Sequence, residues 1–294
     1  MHGVLNVLKP PGMTSHDAVA FVRRVLQTKR VGHTGTLDPA AGGVLPICVG
    51  QATRLVEYLQ NGTKEYIAEI TFGFETDTCD AVGKTIAEGD ASRVNLETLR
   101  ATLDSFRGEI TQTPPLFSAI KKDGKKLYDL ARAGLRDDEI EIPTRQVVIS
   151  RLVVTRFFPN EKHPRAILKI ECSGGTYIRS LVRDIGRVLG CGATMTFLVR
   201  NRNGAFAIGD AKTLEAIAND WQNALLPMSE ILGWCADETI TDDNAMNELV
   251  QGRVADLDSA CARVAVWNSA QSYAALAART PDNLYKSEKV FPLT

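Results

Sequence analysis

Hydrophobic residues recur every three or four positions in three segments of the chain, a spacing that predicts amphipathic helices. Ser15 is predicted to cap the first helix and Asn95 the second, which Gly108 is expected to end. The third helix is predicted to begin at residues 174–176. The positions expected to face the core are Ala18, Phe21, Val22, Val25 and Leu26 in the first helix, Leu96, Leu99, Leu103 and Phe106 in the second, and Ile178, Leu181, Val182, Ile185 and Val188 in the third.

Strict alternation of apolar and polar residues marks the predicted strands. It is clearest at residues 64–74, where Tyr66 begins the apolar side, and shorter strands are expected at residues 4–8, 147–157 and 166–172. Strands and helices are interleaved without the regular alternation of a doubly wound fold. We therefore predict an α+β fold, in which helices surround a mixed, largely antiparallel sheet.

Composition narrows the class of protein. The 294 residues include six cysteines and four histidines, and the cysteines are far apart without the paired spacing of zinc ligands. No metal site is therefore expected, and the cysteines are interpreted as reduced thiols of a cytoplasmic protein. No apolar run follows a basic start or approaches the ~18 residues of a membrane span. We expect a soluble, cytoplasmic protein that does not contact a membrane.

Charge is distributed unevenly, although the formal net charge is only −1. Residues 1–204 contain 28 lysines and arginines against 22 acidic residues, whereas residues 205–294 contain 6 against 13. Because positive charge drives affinity for phosphates, the first part is predicted to face nucleic acid. The shift in composition predicts one domain at residues 1–230 and a small, acidic one at residues 234–294.

Residues 32–39, Gly-His-Thr-Gly-Thr-Leu-Asp-Pro, form the most informative motif. Two glycines permit positive φ or close backbone approach, and Pro39 restricts Asp38 to extended or turn geometry. The Asp38 carboxylate is therefore predicted at the apex of a rigid loop. An isolated Asp-Pro pair is typical of an Asx turn, in which the side chain only satisfies backbone N–H groups. The other motifs of the chain favour a chemical role instead.

This motif, together with the Gly-Val-Leu-Pro at residues 43–46, resembles the catalytic motif of the TruB-type tRNA pseudouridine synthases. The family usually has Leu-Ala-Thr after the proline, whereas this chain has Ala-Ala-Gly at residues 40–42, a loss of bulk that removes no reacting group. The resemblance implies the pseudouridine synthase catalytic fold and a PUA-like β domain at residues 234–294. Further blocks resemble the family in the expected order, at residues 6–15, 64–66, 77–80, 114–121 and 175–181.

Converting uridine to pseudouridine breaks the N1–C1′ bond, turns the uracil and joins C5 to C1′, which is redox-neutral and needs no cofactor. A carboxylate can attack or stabilise an electron-poor sugar carbon. The resemblance assigns this role to Asp38 and pairs it with Arg179, for which a phosphate contact is the alternative. It also implies that Tyr66 stacks on the uracil and assists removal of the C5 proton, whereas an ordinary core position is the alternative.

Three further residues are predicted to contact the substrate's bases. Tyr177 and Leu198 resemble the pair that lines the family's base pocket. Leu198 is also an apolar residue on a polar face, because alternation puts it with Thr194, Thr196 and Arg200, opposite Ala193, Met195, Phe197 and Val199. His33 matches a histidine that fills the space left by flipped nucleotides, and a loop hydrogen bond is its alternative.

Basic residues are predicted to contact phosphates, with a solvated surface as the alternative for each. In the third helix Arg179, Arg183 and Arg187 lie four residues apart, opposite the apolar face, and form a basic stripe. The cations predicted to bind substrate are Lys9, Lys64, Lys121 and Arg183, with Lys122 and Lys125 as further candidates.

We therefore expect a tRNA pseudouridine synthase that acts on the uridine at position 55 in the T-arm loop, as a monomer and without a protein partner. A guide-RNA-dependent synthase would share the chemistry but usually carries longer basic extensions. An RNA chaperone would bind tRNA without needing turnover, a role that the presence of Asp38, Tyr66 and Arg179 disfavours. A glycoside-type hydrolase would need a second carboxylate as acid, and none is recognised in the sequence.

Overall fold

The structure is a computed structural model of the chain, and it describes residues 1–118, 120–122, 124–134, 140, 142–160 and 162–293. Within these residues the helices are α1 Ser15–Val25, α2 Val56–Leu59, α3 Leu96–Asp104, α4 Leu127–Arg132, α5 Ile178–Val188, α6 Leu214–Asn219, α7 Trp221–Ala224, α8 Met228–Cys235 and α9 Asp243–Val250. Two 3₁₀ helices are Gly50–Leu55 and Ile208–Asp210. No helix of the described residues is both long and apolar enough to cross a membrane.

The strands of the described residues alternate irregularly with these helices. They are β1 Gly3–Lys9, β2 Val31–His33, β3 Gly42–Val49, β4 Lys64–Phe72, β5 Phe74–Thr76, β6 Thr85–Glu88, β7 Gly108–Gln112, β8 Lys121–Lys122, β9 Lys125–Lys126, β10 Arg145–Phe158, β11 Arg165–Cys172, β12 Ala193–Asn203, β13 Phe206–Ala207, β14 Leu225–Pro227, β15 Glu238–Thr241, β16 Val254–Ala255, β17 Arg263–Trp267, β18 Tyr273–Arg279 and β19 Tyr285–Pro292.

The chain forms two compact units. The first comprises Met1–Pro39, Gly43–Gly62 and Asn203–Thr294, and the second comprises Ala40–Gly42 and Thr63–Arg202. The predicted division at residues 230–234 rests on the shift in composition and on the resemblance to a two-domain family, and it stays a prediction.

In the first unit β1 is the central strand of an antiparallel group. It pairs with β14 on one side and with β3 on the other, and β2 also pairs with β3. Nearly every residue of β1 and β3 is buried, so these strands are covered on both faces. A Cβ on Gly3 would lie 2.2 Å from the carbonyl oxygen of Leu226. Glycine at this position therefore allows β14 to approach β1.

A second sheet of the first unit has the strand order β15-β17-β18-β19-β16. Only the β15–β17 pair is parallel among the described pairs of this sheet. One side packs on α9 around Leu249 and Tyr285. The other side packs on α8 and the N-terminal strands, in a single core that contains Val4, Cys48, Leu55, Met228, Ile231, Trp267, Leu276 and Phe291. The last sixty residues thus complete the hydrophobic core of the first unit.

In the second unit the strand order is β12-β4-β11-β10-β7, and β4, β11, β10 and β7 pair antiparallel. Helices α3 and α5 pack on these strands. The prediction of an α+β fold with a largely antiparallel sheet is therefore confirmed. The predicted strand at residues 64–74 ends at Phe72, because Gly73 has a φ of +98° and turns the chain toward β5.

Three predicted helix boundaries are wrong. The third helix, α5, begins at Ile178 and not at residues 174–176. Thr14, not Ser15, is the N-cap of α1: its side chain accepts a hydrogen bond from the Asp17 amide, and the Asp17 carboxylate accepts one from the Thr14 amide. This reciprocal capping box has an aspartate in the usual glutamate position. The second helix, α3, ends at Asp104, and Gly108 instead begins β7 with a φ of +84°.

Candidate active site

The Asp38 loop of the first unit is held on both sides of the aspartate. The buried Ser15 hydroxyl accepts a hydrogen bond from the Leu37 amide at 2.8 Å and donates one to the Leu37 carbonyl at 2.9 Å. The Gly12 amide donates to the Pro39 carbonyl at 2.8 Å. Asp38 itself is partly exposed, whereas Leu37 is 3% exposed. The hydrogen bonds of the neighbouring residues therefore fix the backbone of the loop, and Asp38 remains partly exposed.

Lys9 lies beneath this loop and not on the surface. It is 1% exposed, and its Nζ donates to the carbonyl oxygens of Met13 at 2.7 Å, Pro10 at 2.9 Å and Pro39 at 3.5 Å. A buried ammonium group must find hydrogen-bond acceptors, and the carbonyls of two loops supply them. Lys9 thus supports the Asp38 loop in this structure, and its predicted contact with substrate stays a prediction.

His33 ends β2, five residues before Asp38. Its Nδ1 accepts a hydrogen bond from the Gly35 amide at 3.2 Å, and the ring is partly exposed. Gly35 has a φ of +143°, a conformation that favours glycine. The neighbouring Thr34 is fully buried, with its hydroxyl bonded to Asn203 Nδ2 at 3.0 Å. His33 therefore forms the loop hydrogen bond that was its alternative, and it is partly exposed. Its predicted contact with substrate stays a prediction.

Arg179 lies in the second unit, in the first turn of α5, and it is 6% exposed. Its Nη1 donates to the Thr78 carbonyl and its Nη2 to the Phe117 carbonyl, both at 3.0 Å. The Asp80 carboxylate lies 4.0 Å from its Nε. Such burial disfavours the phosphate contact that was the alternative for this arginine. Its predicted pairing with Asp38 stays a prediction.

Asp80 is a residue to which the sequence analysis assigned no role, although it belongs to the family-like block at residues 77–80. It is 6% exposed, and its Oδ1 accepts hydrogen bonds from the Thr78 hydroxyl at 2.6 Å and the Val82 amide at 3.2 Å. These contacts hold the Thr78 carbonyl and the carboxylate against Arg179. Neither spacing nor periodicity could have shown this, because the two residues are about a hundred positions apart.

Tyr177 precedes the first residue of α5 and is held by two residues from paired strands. Gln112 Oε1 accepts a hydrogen bond from the Tyr177 amide at 2.9 Å, and Gln112 Nε2 donates to the Tyr177 carbonyl at 3.1 Å. The Arg145 guanidinium lies 5.4 Å from the centre of the tyrosine ring, within cation–π range. Gln112 and Arg145 face each other across β7 and β10. The structure thus holds both the backbone and the ring of Tyr177.

Tyr66 and Lys64 both lie on the buried side of β4. Tyr66 is 7% exposed, as the alternation predicted, and it stands opposite Ile170 of β11. Lys64 is 6% exposed, and burial lowers its pKa, with a further lowering by the nearby Arg200 cation. Cys172 stands opposite Lys64, and burial raises the pKa of its thiol to about 11. The predicted substrate contact of Lys64 stays a prediction.

Leu198 lies in β12 with 6% of its surface exposed. Burial in this strand does not follow the polarity of its two faces around Leu198. Phe197, on the apolar face, is 50% exposed, while Arg200, on the polar face with Leu198, is 1% exposed. Burial of a charged residue in a strand depends on partners from other segments, which alternation does not report.

The basic stripe of α5 is only partly a surface feature. Arg183 is 5% exposed, and its Nη2 donates to the Thr113 carbonyl at 3.0 Å. Arg187, by contrast, is exposed and pairs with Glu75 at 2.9 Å. The predicted contact of Arg183 with substrate stays a prediction. Lys121 lies in the short strand β8, and its side chain, like those of Lys122 and Lys125, lies outside the part of the chain that the structure describes.

The candidate residues thus occur in both units. The first unit contains Asp38, His33 and Lys9, and the second contains Tyr66, Lys64, Arg179, Arg183, Tyr177 and Leu198. Within the described part of the chain, no three His, Cys, Asp or Glu side chains are placed to hold one metal ion. Because the candidates are divided in this way, each unit contains its own ionisable and hydrogen-bonding side chains.

Comparison with known proteins agrees with these motifs. The model of the TruB family pseudouridylate synthase N-terminal domain matches residues 23–178, and that of the tRNA pseudouridylate synthase B C-terminal domain matches residues 179–251. A tRNA pseudouridine synthase B of Symbiobacterium thermophilum is 52% identical over 231 residues, which are 79% of this chain and 76% of the relative. One of Caldanaerobacter subterraneus is 44% identical over 85% of both chains.

Solved structures resemble the fold as well. A chain from the crystal structure of a Cbf5-Nop10-Gar1 complex aligns with a TM-score of 0.71 and 26% identity, covering 99% of this chain and 85% of that one. A chain from the archaeal box H/ACA sRNP Nop10-Cbf5 complex gives a TM-score of 0.68 and 25% identity, over 99% of this chain and 86% of that one. The chain therefore belongs to the TruB family of pseudouridylate synthases and is an isomerase.

Proposed function

We propose that this protein converts the uridine at position 55 in the T-arm loop of tRNA to pseudouridine. Family membership supports the reaction class, and the name of its relatives, tRNA pseudouridine synthase B, supports tRNA as the substrate. The observation that carries the proposal is the Asp38 loop, whose backbone is fixed by its neighbours while the aspartate is partly exposed. A partly exposed aspartate on a fixed loop suits nucleophilic or electrostatic catalysis at a sugar carbon.

The reaction moves one bond and one proton. The N1–C1′ bond breaks, the detached uracil turns, C5 bonds to C1′, and the C5 proton leaves as N1 takes one up. Asp38 serves as the carboxylate that attacks or stabilises the electron-poor centre. Tyr66 stacks on the uracil and assists loss of the C5 proton. Because reactants and products have the same oxidation state, these steps need no redox cofactor.

The supporting residues must orient the base and the carboxylate. Arg179 supplies a positive charge for Asp38, and the two carbonyls that it contacts fix the direction of its guanidinium. Tyr177 and Leu198 line the pocket that retains the detached uracil. His33 occupies the space that the flipped nucleotide leaves in the RNA loop, which offsets part of a flipping cost of roughly a few kcal/mol.

A T-arm hairpin tests this function directly. The purified chain, without any added protein or guide RNA, is incubated with an unmodified hairpin, and pseudouridine is measured by a chemistry specific for that base. We expect modification at position 55 and none in a matched hairpin with cytidine there. Binding is measured in parallel. Tight binding without any pseudouridine would support the RNA chaperone instead, and release of free uracil would support a hydrolase.

A further inference from the structure

Two side chains of α5 converge on one backbone carbonyl. The Ser180 hydroxyl donates to the Thr113 carbonyl at 2.8 Å, and Arg183 Nη2 donates to the same oxygen at 3.0 Å. Ser180 is fully buried and Arg183 is 5% exposed. A carbonyl oxygen has two lone pairs, so both bonds can form together. The start of α5 therefore fixes the position of Thr113 through two independent donors.

Thr113 begins a stiff segment that leads to a carbonyl contacted by Arg179. Pro114 and Pro115 follow it, and each ring restricts φ to about −65°. The segment ends at Phe117, whose carbonyl accepts a hydrogen bond from Arg179 Nη2 at 3.0 Å. A displacement of Thr113 is thus transmitted through the prolines to Phe117. The orientation of the Arg179 guanidinium depends on both ends of this segment.

The remaining contact of Arg183 restricts it further. Its Nε donates to the Asp184 carboxylate at 2.8 Å, and its side chain is 6% exposed. A guanidinium that is desolvated and bonded on two edges has little surface left for a phosphate group. The contacts of Arg183 therefore point away from the phosphate role that its place in the basic stripe predicted.

We propose that Arg183 is a positioning residue for the isomerisation, acting through the Thr113 carbonyl on the segment that orients Arg179. The proposal rests on the proposed function, because it assigns the Arg179 guanidinium a place in that reaction. Ser180 shares the task as the second donor to Thr113. Loss of either donor lets the segment shift, and a shift of about 1 Å at a catalytic group can lower a rate about a hundredfold.

The experiment separates the rate of the bound complex from binding. Arg183→Lys keeps the positive charge but lacks the planar fork that reaches Thr113 and Asp184 together. We expect its single-turnover rate at saturating T-arm hairpin to fall roughly tenfold. The Kd should stay within about twofold, and the slope of log Kd against log salt concentration should not change, because no phosphate contact is lost. Arg100→Lys, at an exposed arginine of α3 in the same unit, is the matched control, and its rate should match the wild type.

A phosphate contact would give the opposite pattern. Arg183→Met would then weaken the Kd and lower the salt slope by roughly 0.7–0.9, while the rate at saturation stayed normal, and the proposal would be wrong. It would also be wrong if the variant only lowered the midpoint of thermal unfolding and its folded fraction reacted at the wild-type rate.

Ser180→Ala keeps the proposal testable if both Arg183 variants fail to fold. Removing one small hydroxyl leaves the arginine in place, and we expect a rate loss of roughly threefold with unchanged Kd and salt slope. A normal rate in Ser180→Ala would overturn the proposal in that case. Failure of the wild type to form any pseudouridine would instead refute the proposed function itself, so the two failures are distinguishable.

Discussion

The Asp38 loop of the first unit and the start of α5 in the second are both fixed by hydrogen bonds, but of different kinds. Around Asp38 the fixed groups are backbone groups of its neighbours, such as the Leu37 amide and carbonyl, which bond to the Ser15 hydroxyl. The aspartate side chain itself is partly exposed. At the start of α5 the charged side chains are buried and make the bonds themselves.

The two regions position a charged side chain in different ways. Arg179 and Arg183 are 6% and 5% exposed, and backbone carbonyls accept hydrogen bonds from their terminal nitrogens, so their orientation is set before any substrate binds. Asp38, by contrast, is positioned by a loop whose backbone is fixed, and it is partly exposed. We infer that substitutions in the first region act on reactivity directly, whereas those in the second act through geometry.

The largest effect is expected for the aspartate. Asp38→Asn keeps the shape of the side chain but removes the negative charge, so pseudouridine formation should fall by at least roughly a thousandfold. Affinity for the T-arm hairpin should stay within about a few-fold, because the loop is held by its neighbours. Single-turnover rates and Kd values measure the two quantities. Asp210→Asn, at an exposed acid of the same unit, should behave like the wild type. Normal turnover in Asp38→Asn would show that another group carries the chemistry.

A smaller effect is expected for the arginine. Arg179→Lys keeps a positive charge, but one ammonium group cannot reach the Thr78 and Phe117 carbonyls in the same geometry. We expect the single-turnover rate to fall about a hundredfold with little change in Kd. A large rise in the Kd of Arg179→Lys, with a smaller salt slope, would identify a phosphate contact. Arg179 would then bind RNA directly, and the inferred difference between the two regions would be wrong.

The sequence predicts local features well and burial of charge poorly. Helices α1, α3 and α5 and strands β1, β4, β10 and β11 followed from periodicity, which depends on residues close in the chain. The antiparallel sheet followed from the irregular order of helices and strands. The alternation of β4 correctly placed Tyr66 on the buried side. Lys9 and Arg183 could not be placed in this way, because a charged residue is expected at the surface unless its partners are known. Their carbonyl acceptors come from loops whose conformation periodicity does not describe.

The predicted N-cap of α1, Ser15, is one residue away from the observed N-cap, Thr14. A serine before an apolar helical pattern is a good N-cap, and the sequence offered a threonine and a serine side by side. Asp17 favours Thr14 as the N-cap, because it lies three residues after Thr14 and forms the reciprocal hydrogen bond with it. Because Ser15 does not cap the helix, its hydroxyl can bond to Leu37, a residue 22 positions away. A one-residue shift in the cap thus connects helix α1 to the Asp38 loop.

The smallest effect is expected for this connection. Ser15→Ala leaves the buried amide and carbonyl of Leu37 without their partner, which should lower the free energy of unfolding by roughly 1–3 kcal/mol. The loosened loop should also lower the single-turnover rate by roughly three- to tenfold without changing Kd. Denaturant titration and single-turnover assays measure the two effects. Ser229→Ala, at an exposed serine of the same unit, should change stability by no more than about 0.5 kcal/mol. If Ser15→Ala lost stability but reacted at the wild-type rate, backbone anchoring of the loop would serve folding alone.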